Sequence, residues 1–456
     1  LDYQVIVIGA GPGGYPAALK AARMGARVCI VEAGQVGGTC LNRGCIPTKA
    51  LVESASAFRR ACKAGEFGVE VGEPTLNYVR VRSRQEEIVT KLRSGVQLLL
   101  KNSKIELVQA RGRLAGSNLV ELALDGGRTE RISGDKIIIA TGSEPLLPKP
   151  LGYDGEVVLS STEMLQLPEL PETLLIVGGG VIGCEFAGIC AAMGVRVILV
   201  EAQPTIIPFI DEDLARRLQV MLKQQGIDLK TKTKILEVAR DGRRARVSLS
   251  DGAEVVADKV LIAIGRSLNT ADIGLEQAGV ATTSGAVIVN DSMETSIHGI
   301  YAVGDVTGKA LLAHVATAQG VAAAANALGG EQTVDYGAIP NCIFTYPEIG
   351  SVGITSREAK DRGIPLKTGK SLFVANGRAL CEGEPDGFVK VLAAADTGRI
   401  LGLHIIGPHA TELLGEGALA VRWGLTLPQF SDTIHAHPTL SEAVRDAAEA
   451  AGNFGG

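Results

Sequence analysis

Apolar residues along the first 33 positions come in short unbroken runs rather than in alternation. Val5-Ile6-Val7-Ile8 is one run and Val28-Cys29-Ile30-Val31 another, with an alanine-rich stretch from Pro16 to Ala22 between them. Unbroken runs of this length read as strands buried on both faces, as in a parallel sheet, and the stretch between them as an apolar helix. Residues 174–202 repeat residues 5–33 without a gap, at an offset of 169. Each copy carries G-x-G-x-x-G after its first strand (Gly9, Gly11, Gly14; Gly178, Gly180, Gly183). Each closes its second strand on an acid, Glu32 or Glu201, 18 residues after the third glycine.

Other runs extend the pattern. Ile137-Ile138-Ile139-Ala140-Thr141-Gly142 and Val260-Leu261-Ile262-Ala263-Ile264-Gly265 both follow Asp-Lys and read as central strands returning to their nucleotide folds. Ile300 to Gly304 reads as a further strand, and Asp305 after it could hold a polyol chain. Arg240 to Arg246 surround Asp241-Gly242, a hairpin signal, and read as a solvated loop tip. From about Tyr336 alternating strand patterns give way to helical ones, which predicts a separate C-terminal domain. The stretch Leu174–Val195 has about the length of a membrane span and one charge, Glu185. The glycines at 178–180 and 183 break it, so it is expected to be a buried strand, a turn and a buried helix.

In strand–turn–helix–strand context, with an acid about 20 residues on, G-x-G-x-x-G is a dinucleotide site. Its glycines let a pyrophosphate pass close to backbone and sit on a helix N-terminus, where unpaired N–H groups favour an anion. The closing glutamate accepts from ribose hydroxyls. Two copies at matching spacing predict two bound dinucleotides. After Glu201 comes Ala202-Gln203-Pro204-Thr205, with no arginine to neutralise a 2′-phosphate, so the second site is expected to take NAD rather than NADP. Pro16 stands where the other copy has Glu185; near a helix start the missing N–H costs little.

Composition narrows the choice of function. A chain of 456 residues, 46% hydrophobic and 21% charged, is long enough for about three packed domains and is not disordered. A net charge of −5 and 4% aromatics argue against nucleic acid and anionic membrane as partners. The first residues, Leu1-Asp2-Tyr3-Gln4, lack the features of a signal peptide, so a soluble, cytoplasmic protein is expected. Eight cysteines are too few for a secreted disulfide scaffold, and six read as small apolar residues.

Cys40 and Cys45 differ. They lie in Gly37-Gly38-Thr39-Cys40-Leu41-Asn42-Arg43-Gly44-Cys45-Ile46-Pro47-Thr48-Lys49, a few residues after Glu32. In a regular helix Cα atoms five apart are about 8.6 Å from each other, whereas a disulfide needs less than about 7 Å. If the two bond, the backbone at residues 42–44 must leave helical geometry, which Gly44 eases, and a strained accessible disulfide suits redox turnover. A zinc half-site is the alternative, but C-x4-C lacks zinc spacing and no second ligand pair exists; no metal is expected. Two of the six histidines lie in His435-Ala436-His437-Pro438-Thr439-Leu440-Ser441-Glu442. Thr439 and Glu442 have capping-box spacing. Glu442 could also orient His437 as a proton acceptor.

Taken together, the two fingerprints, GGTCLNRGCIPTK, the ATG and GD segments and HAHPTLSE resemble, in order, the flavoprotein disulfide reductases, the pyridine nucleotide-disulfide oxidoreductase family. The resemblance spans the chain and points to the branch that acts on dihydrolipoamide. It implies an α/β chain with two Rossmann-like folds and an α+β dimerisation domain. The implied segments are FAD-binding 1–145, NAD-binding 146–268, a central segment 269–335 packing with the FAD fold, and an interface domain 336–456. FAD would be held by Gly9, Gly11, Gly14, Glu32, Gly142, Asp305 and Ala313, with Lys49 near flavin N5 and Gly112 a weaker contact. NAD would be held by Gly178, Gly180, Gly183, Glu201 and Gly265, with Glu185 near the nicotinamide.

The implied reaction is NAD-dependent oxidation of protein-bound dihydrolipoamide through a Cys40–Cys45 disulfide and FAD. His437 with Glu442, from the other subunit of a homodimer, would be the base. The implied partners are the lipoyl domain and acyltransferase core of a 2-oxoacid dehydrogenase complex. Mercuric and large thioredoxin reductases add a C-terminal redox pair, but the last cysteine here is Cys381 and the tail Ala451 to Gly456 has none. Residues 315–319 depart from the family, which often has acids there. The alternatives are a related NAD(P)H-dependent reductase of a small disulfide and a mainly structural subunit.

Overall fold

The computed structural model describes residues 1–452; the tail residues 453–456 cited above lie outside the described part. Tertiary contacts divide the chain into two compact units. The first comprises 1–51, 77–146 and 265–334, and the second 52–76, 147–264 and 335–456.

The first unit is built on a seven-stranded sheet. Glu106–Gln109, Val28–Glu32, Tyr3–Ile8 and the far end of Thr129–Ile139 run parallel, with Ile300–Ala302 parallel on the other side of that last strand. The near end of Thr129–Ile139 pairs antiparallel with Leu119–Ala123, which pairs with Arg111–Leu114. The unbroken apolar runs now have a cause. Val5, Val7, Val28, Ile30 and Ile138 enter one core, with the helices Gly14–Arg23 and Ala313–Ala327, while Ile6, Ile8, Cys29, Val31, Ile137 and Ile139 enter another on the opposite face. Alternate side chains of one strand serve two cores, so none of these covered positions can be polar. Each such side chain contributes about 1.5–3 kcal/mol by burial.

The second unit repeats the arrangement. Asp228–Lys230, Arg196–Val200, Thr173–Val177, Lys259–Ile262 and Val158–Leu159 form a parallel sheet, and Val181–Ala192 is the helix after the glycine turn. The long apolar stretch is therefore a buried strand and helix. No helix among the described residues is long and apolar enough to cross a membrane. The expected hairpin joins Ile235–Asp241 to Arg244–Leu249, and its Arg240 pairs with Asp154 and Glu156 at the surface. The unit also holds a five-stranded antiparallel sheet, ordered Asn341–Ile343, Glu348–Gly353, Ile400–Gly407, Phe388–Ala394, Leu366–Leu372. The helices Ala410–Trp423 and Glu442–Gly452 share its core. An α/β chain with two nucleotide folds and an α+β domain is the architecture the sequence predicts.

Lys390 on this sheet is almost fully buried, and its ammonium donates to Asp211 (2.7 Å), Asp213 (2.9 Å) and the Ser356 hydroxyl (2.8 Å). All three protons of a buried cation are satisfied, as such burial requires.

Candidate active site

The two glycine fingerprints form the same device. Gly9 turns at φ +104° and Gly178 at +110°; a Cβ on either would lie 2.3 or 2.4 Å from the carbonyl of Ala140 or Ala263. A Cβ on Gly14 would lie 1.8 Å from Gly9 O, and one on Gly183 1.9 Å from Gly178 O. The middle glycines are different. A Cβ on Gly11 would meet nothing nearer than 3.8 Å and one on Gly180 nothing within 4 Å. Those two face open space that a side chain would fill, which is the cradle a pyrophosphate needs. The helices that start there, at Gly14 and Val181, have no side-chain cap and no acid in their first turn, so their N-termini stay open to an anion, although in the first of them Pro16 has no N–H and the Tyr15 N–H is held by the Gly11 carbonyl at 3.1 Å.

The closing acids are already at work. Glu32 accepts the Ala10 and Gly34 N–H groups, both at 2.6 Å, and Glu201 accepts those of Gly179 and Gln203, also at 2.6 Å. Each carboxylate pins its glycine turn to the end of the second strand. The same groups that would face a ribose therefore shape the loop beneath it.

Other residues predicted for the flavin side distribute as follows. The strand expected through Gly304 stops at Ala302, and Gly304, at φ +77°, turns the chain so that Asp305 lies in a 3-10 turn. The Asp305 carboxylate accepts the Ser143 hydroxyl at 2.5 Å and lies 3.8 Å from Arg266 Nε. Ala313 is the first residue of its helix, which has no side-chain cap. In the departing segment, Thr317 donates to the carbonyl of Pro12 (3.0 Å) and Gln319 accepts the Gly304 N–H (2.7 Å), so two neutral side chains seat the glycine loop and the Asp305 turn. Gly112 packs on aliphatic groups: a Cβ there would meet Val31 at 3.1 Å and Ile8 at 3.3 Å. Gly142, at φ +72°, is open to 4 Å. On the NAD side, Glu185 is buried and accepts the Phe344 N–H at 2.9 Å. Gly265 belongs to the first unit and its carbonyl accepts the Leu146 N–H at 3.0 Å.

The cysteine pair lies across a broken helix. Gly38–Arg43 is one helical segment and Cys45–Cys62 the next, and Gly44 between them (φ −145°, ψ −112°) has left helical geometry. That departure brings the thiols together with no disulfide between them, Cys40 partly buried and Cys45 exposed. The neighbouring Cys45 sulfur, together with burial, pushes the Cys40 thiol far up, and Lys49 opposes this. Cys45 begins the longer helix, where the dipole favours negative charge. Asn42 braces the short segment by donating to the carbonyls of Gly38 (2.9 Å) and Val36 (3.0 Å), and Arg93 in turn donates to Asn42 (3.2 Å).

In the second unit His437 is exposed, and its Nδ1 lies 2.9 Å from Glu442 Oε1. The other Glu442 oxygen accepts the Thr439 N–H at 2.8 Å. The expected capping box is thus only half formed. The Thr439 hydroxyl donates to the Ala436 carbonyl instead, and the helix starts at Glu442 itself. The Thr439 N–H and His437 hold the Glu442 carboxyl below its usual range. A carboxylate on Nδ1 fixes the tautomer that leaves Nε2 free to take a proton. Ser143, Arg266, Arg93 and Thr317 were invisible in the sequence because each acts on a residue distant in the chain, and no local spacing marks them.

A family model described as pyridine nucleotide-disulphide oxidoreductase matches residues 3–320, and the dimerisation domain of the same family matches 339–448. The chain belongs to the pyridine nucleotide-disulphide oxidoreductases. Within this family, dihydrolipoyl dehydrogenase from Chlamydia pneumoniae is 43% identical over 453 residues, 99% of this chain and 97% of that protein. The enzyme of that name from Bacillus subtilis is 41% identical over 464 residues, 99% and 98% of the two. LpdA from Mycobacterium tuberculosis has a TM-score of 0.92 at 29% identity, covering 98% of this chain and 99% of its own. The HOCl-induced flavoprotein disulfide reductase of Escherichia coli gives 0.88, also at 29% identity and with the same coverage. Pyridine nucleotide-disulphide oxidoreductases of the dihydrolipoyl branch use FAD and NAD, and the two open cradles fit two dinucleotides. The dimerisation domain supports a homodimer.

Proposed function

We propose that this chain oxidises protein-bound dihydrolipoamide to lipoamide with NAD⁺, as a homodimer serving a 2-oxoacid dehydrogenase complex. The observation that carries the reading is the break at Gly44, which sets the Cys40 and Cys45 sulfurs together beside the first fingerprint. The full-length similarity to dihydrolipoyl dehydrogenases selects the substrate.

His437 Nε2 takes the proton of a substrate thiol while Glu442 stabilises the imidazolium through Nδ1. The thiolate attacks Cys40 Sγ of the oxidised pair, the Cys40–Cys45 bond breaks, and Cys45 leaves as thiolate. The second substrate thiol, deprotonated in turn, attacks the sulfur joined to Cys40. Lipoamide closes and Cys40 departs, so two electrons have passed from substrate to the cysteine pair. When bound by Gly9, Gly11, Gly14, Glu32 and Asp305, FAD supplies the two-electron acceptor for the reduced pair and the hydride donor for NAD⁺. Gly178, Gly180, Gly183 and Glu201 hold that NAD⁺, and the Glu201 carboxylate repels a 2′-phosphate. We assign His437 to the opposite subunit's cysteine pair, which makes an isolated protomer inactive.

The test is anaerobic mixing of the flavin-loaded protein with dihydrolipoamide, followed by NAD⁺. Bleaching by dihydrolipoamide and NADH formation on addition of NAD⁺ are expected, with no comparable turnover of glutathione disulfide by NADPH. The opposite preference would overturn the reading.

A further inference from the structure

The loop 432–441 that carries His437 has no helix or strand, and residues 432–434 and 436–438 are exposed. Two of its side chains turn inward. Leu440 enters the core shared with the helix Glu442–Gly452. His435, on the other side of His437, is the second, with only 6% of its side chain exposed.

His435 is held at three points. Its ring lies 5.8 Å from that of Phe430, its Nδ1 is 2.8 Å from the Thr433 carbonyl, and its Nε2 is 3.2 Å from Glu416 Oε2 on the helix Ala410–Trp423. A carbonyl only accepts, so Nδ1 carries a hydrogen. The contact at Nε2 then holds only with a second proton between ring and carboxyl, on whichever of the two it resides. The exposed base thus stands between two anchors, and the first is a ring clamped to a neighbouring helix by one shared proton.

We propose that Glu416 is a positioning residue. By holding His435 it fixes the near end of the loop, so that the His437 imidazole meets its substrate in one orientation. This rests on the reading of His437 as the thiol base given above. Burial pushes the Glu416 carboxyl up while His435 draws it down, in keeping with a proton retained by the pair. Glutamine at 416 would donate an N–H to a neutral Nε2 and keep the clamp without the extra proton; alanine would leave that nitrogen unpartnered.

The test uses the flavin-loaded dimer as wild type, Glu416→Ala and Glu416→Gln. Two rates are read, dihydrolipoamide to NAD⁺, which needs the imidazole, and NADH to ferricyanide, which does not. Glu416→Ala is expected to lower kcat for dihydrolipoamide by about 10–10²-fold, the cost of misplacing a reacting group by about 1 Å. KM should change by less than about threefold, since binding is untouched. The ferricyanide rate should stay at the wild-type level, and Glu416→Gln should recover most of kcat. An unchanged kcat in Glu416→Ala, an equal loss of both rates, or a Glu416→Gln as slow as the alanine variant would each overturn the proposal. A wild-type protein that reduces ferricyanide but leaves dihydrolipoamide untouched would refute the functional reading instead.

Discussion

Replacing Gly183 by alanine should disable NAD binding while leaving the flavin side intact. The Cβ would be built 1.9 Å from the Gly178 carbonyl oxygen. An ordinary C···O approach is about 3.3 Å, so the start of the helix Val181–Ala192 must withdraw from its glycine turn by roughly 1.4 Å. An N–H at about 2.9 Å from a phosphate oxygen would then be at about 4.3 Å, beyond hydrogen bonding. Hydrogen bonds to charged groups are worth about 1.5–3 kcal/mol each, and losing one or two removes about 3 kcal/mol. That corresponds to roughly a 10²-fold weaker NAD site. The measurement is KM for NAD⁺ beside flavin content of the purified protein, which should match wild type. Gly14→Ala, with its Cβ 1.8 Å from Gly9 O, is the mirror experiment and should yield flavin-depleted protein. A Gly183→Ala protein with wild-type KM for NAD⁺ would refute the argument that helix withdrawal breaks the cradle.

Two further outcomes follow from the same geometry. His437→Gln should slow dihydrolipoamide oxidation by about 10²–10⁴-fold while the NADH–ferricyanide rate persists, as loss of a general base requires; stopped-flow rates of both checks this. Lys390→Met strands the buried Asp211 carboxylate and should cost about 3–5 kcal/mol in urea unfolding. Burial pushes the Asp211 carboxyl up, but Lys390, His404 and the Ser356 N–H outweigh it and hold it at about 2, against 3.8 for a free aspartate. A carboxyl lowered by folding stabilises the protein above its unfolded value and loses that contribution as pH falls through the folded one. Wild-type stability should therefore fall between about pH 4 and pH 2 through this group, and Lys390→Met should be flatter over that window in thermal unfolding.

The two nucleotide folds were legible in the chain because their chemistry is local. A strand covered on both faces must be apolar at every covered position, and a turn that puts Gly9 O 1.8 Å from where a Cβ on residue 14 would stand admits only glycine there. Both constraints write themselves into consecutive residues, and the duplication writes them twice. The cysteine pair was legible for a similar reason, since five-residue spacing can close only if a helix breaks at Gly44. What the chain could not show was where distant side chains meet. Ser143 and Arg266 at Asp305, Arg93 behind Asn42, Thr317 on the first glycine loop and Glu416 on His435 each bridge 19 to 305 positions. Sequence spacing carries no record of such contacts. They exist only after sheets and helices have stacked, because burial, not proximity along the chain, forces a polar group to find its partner.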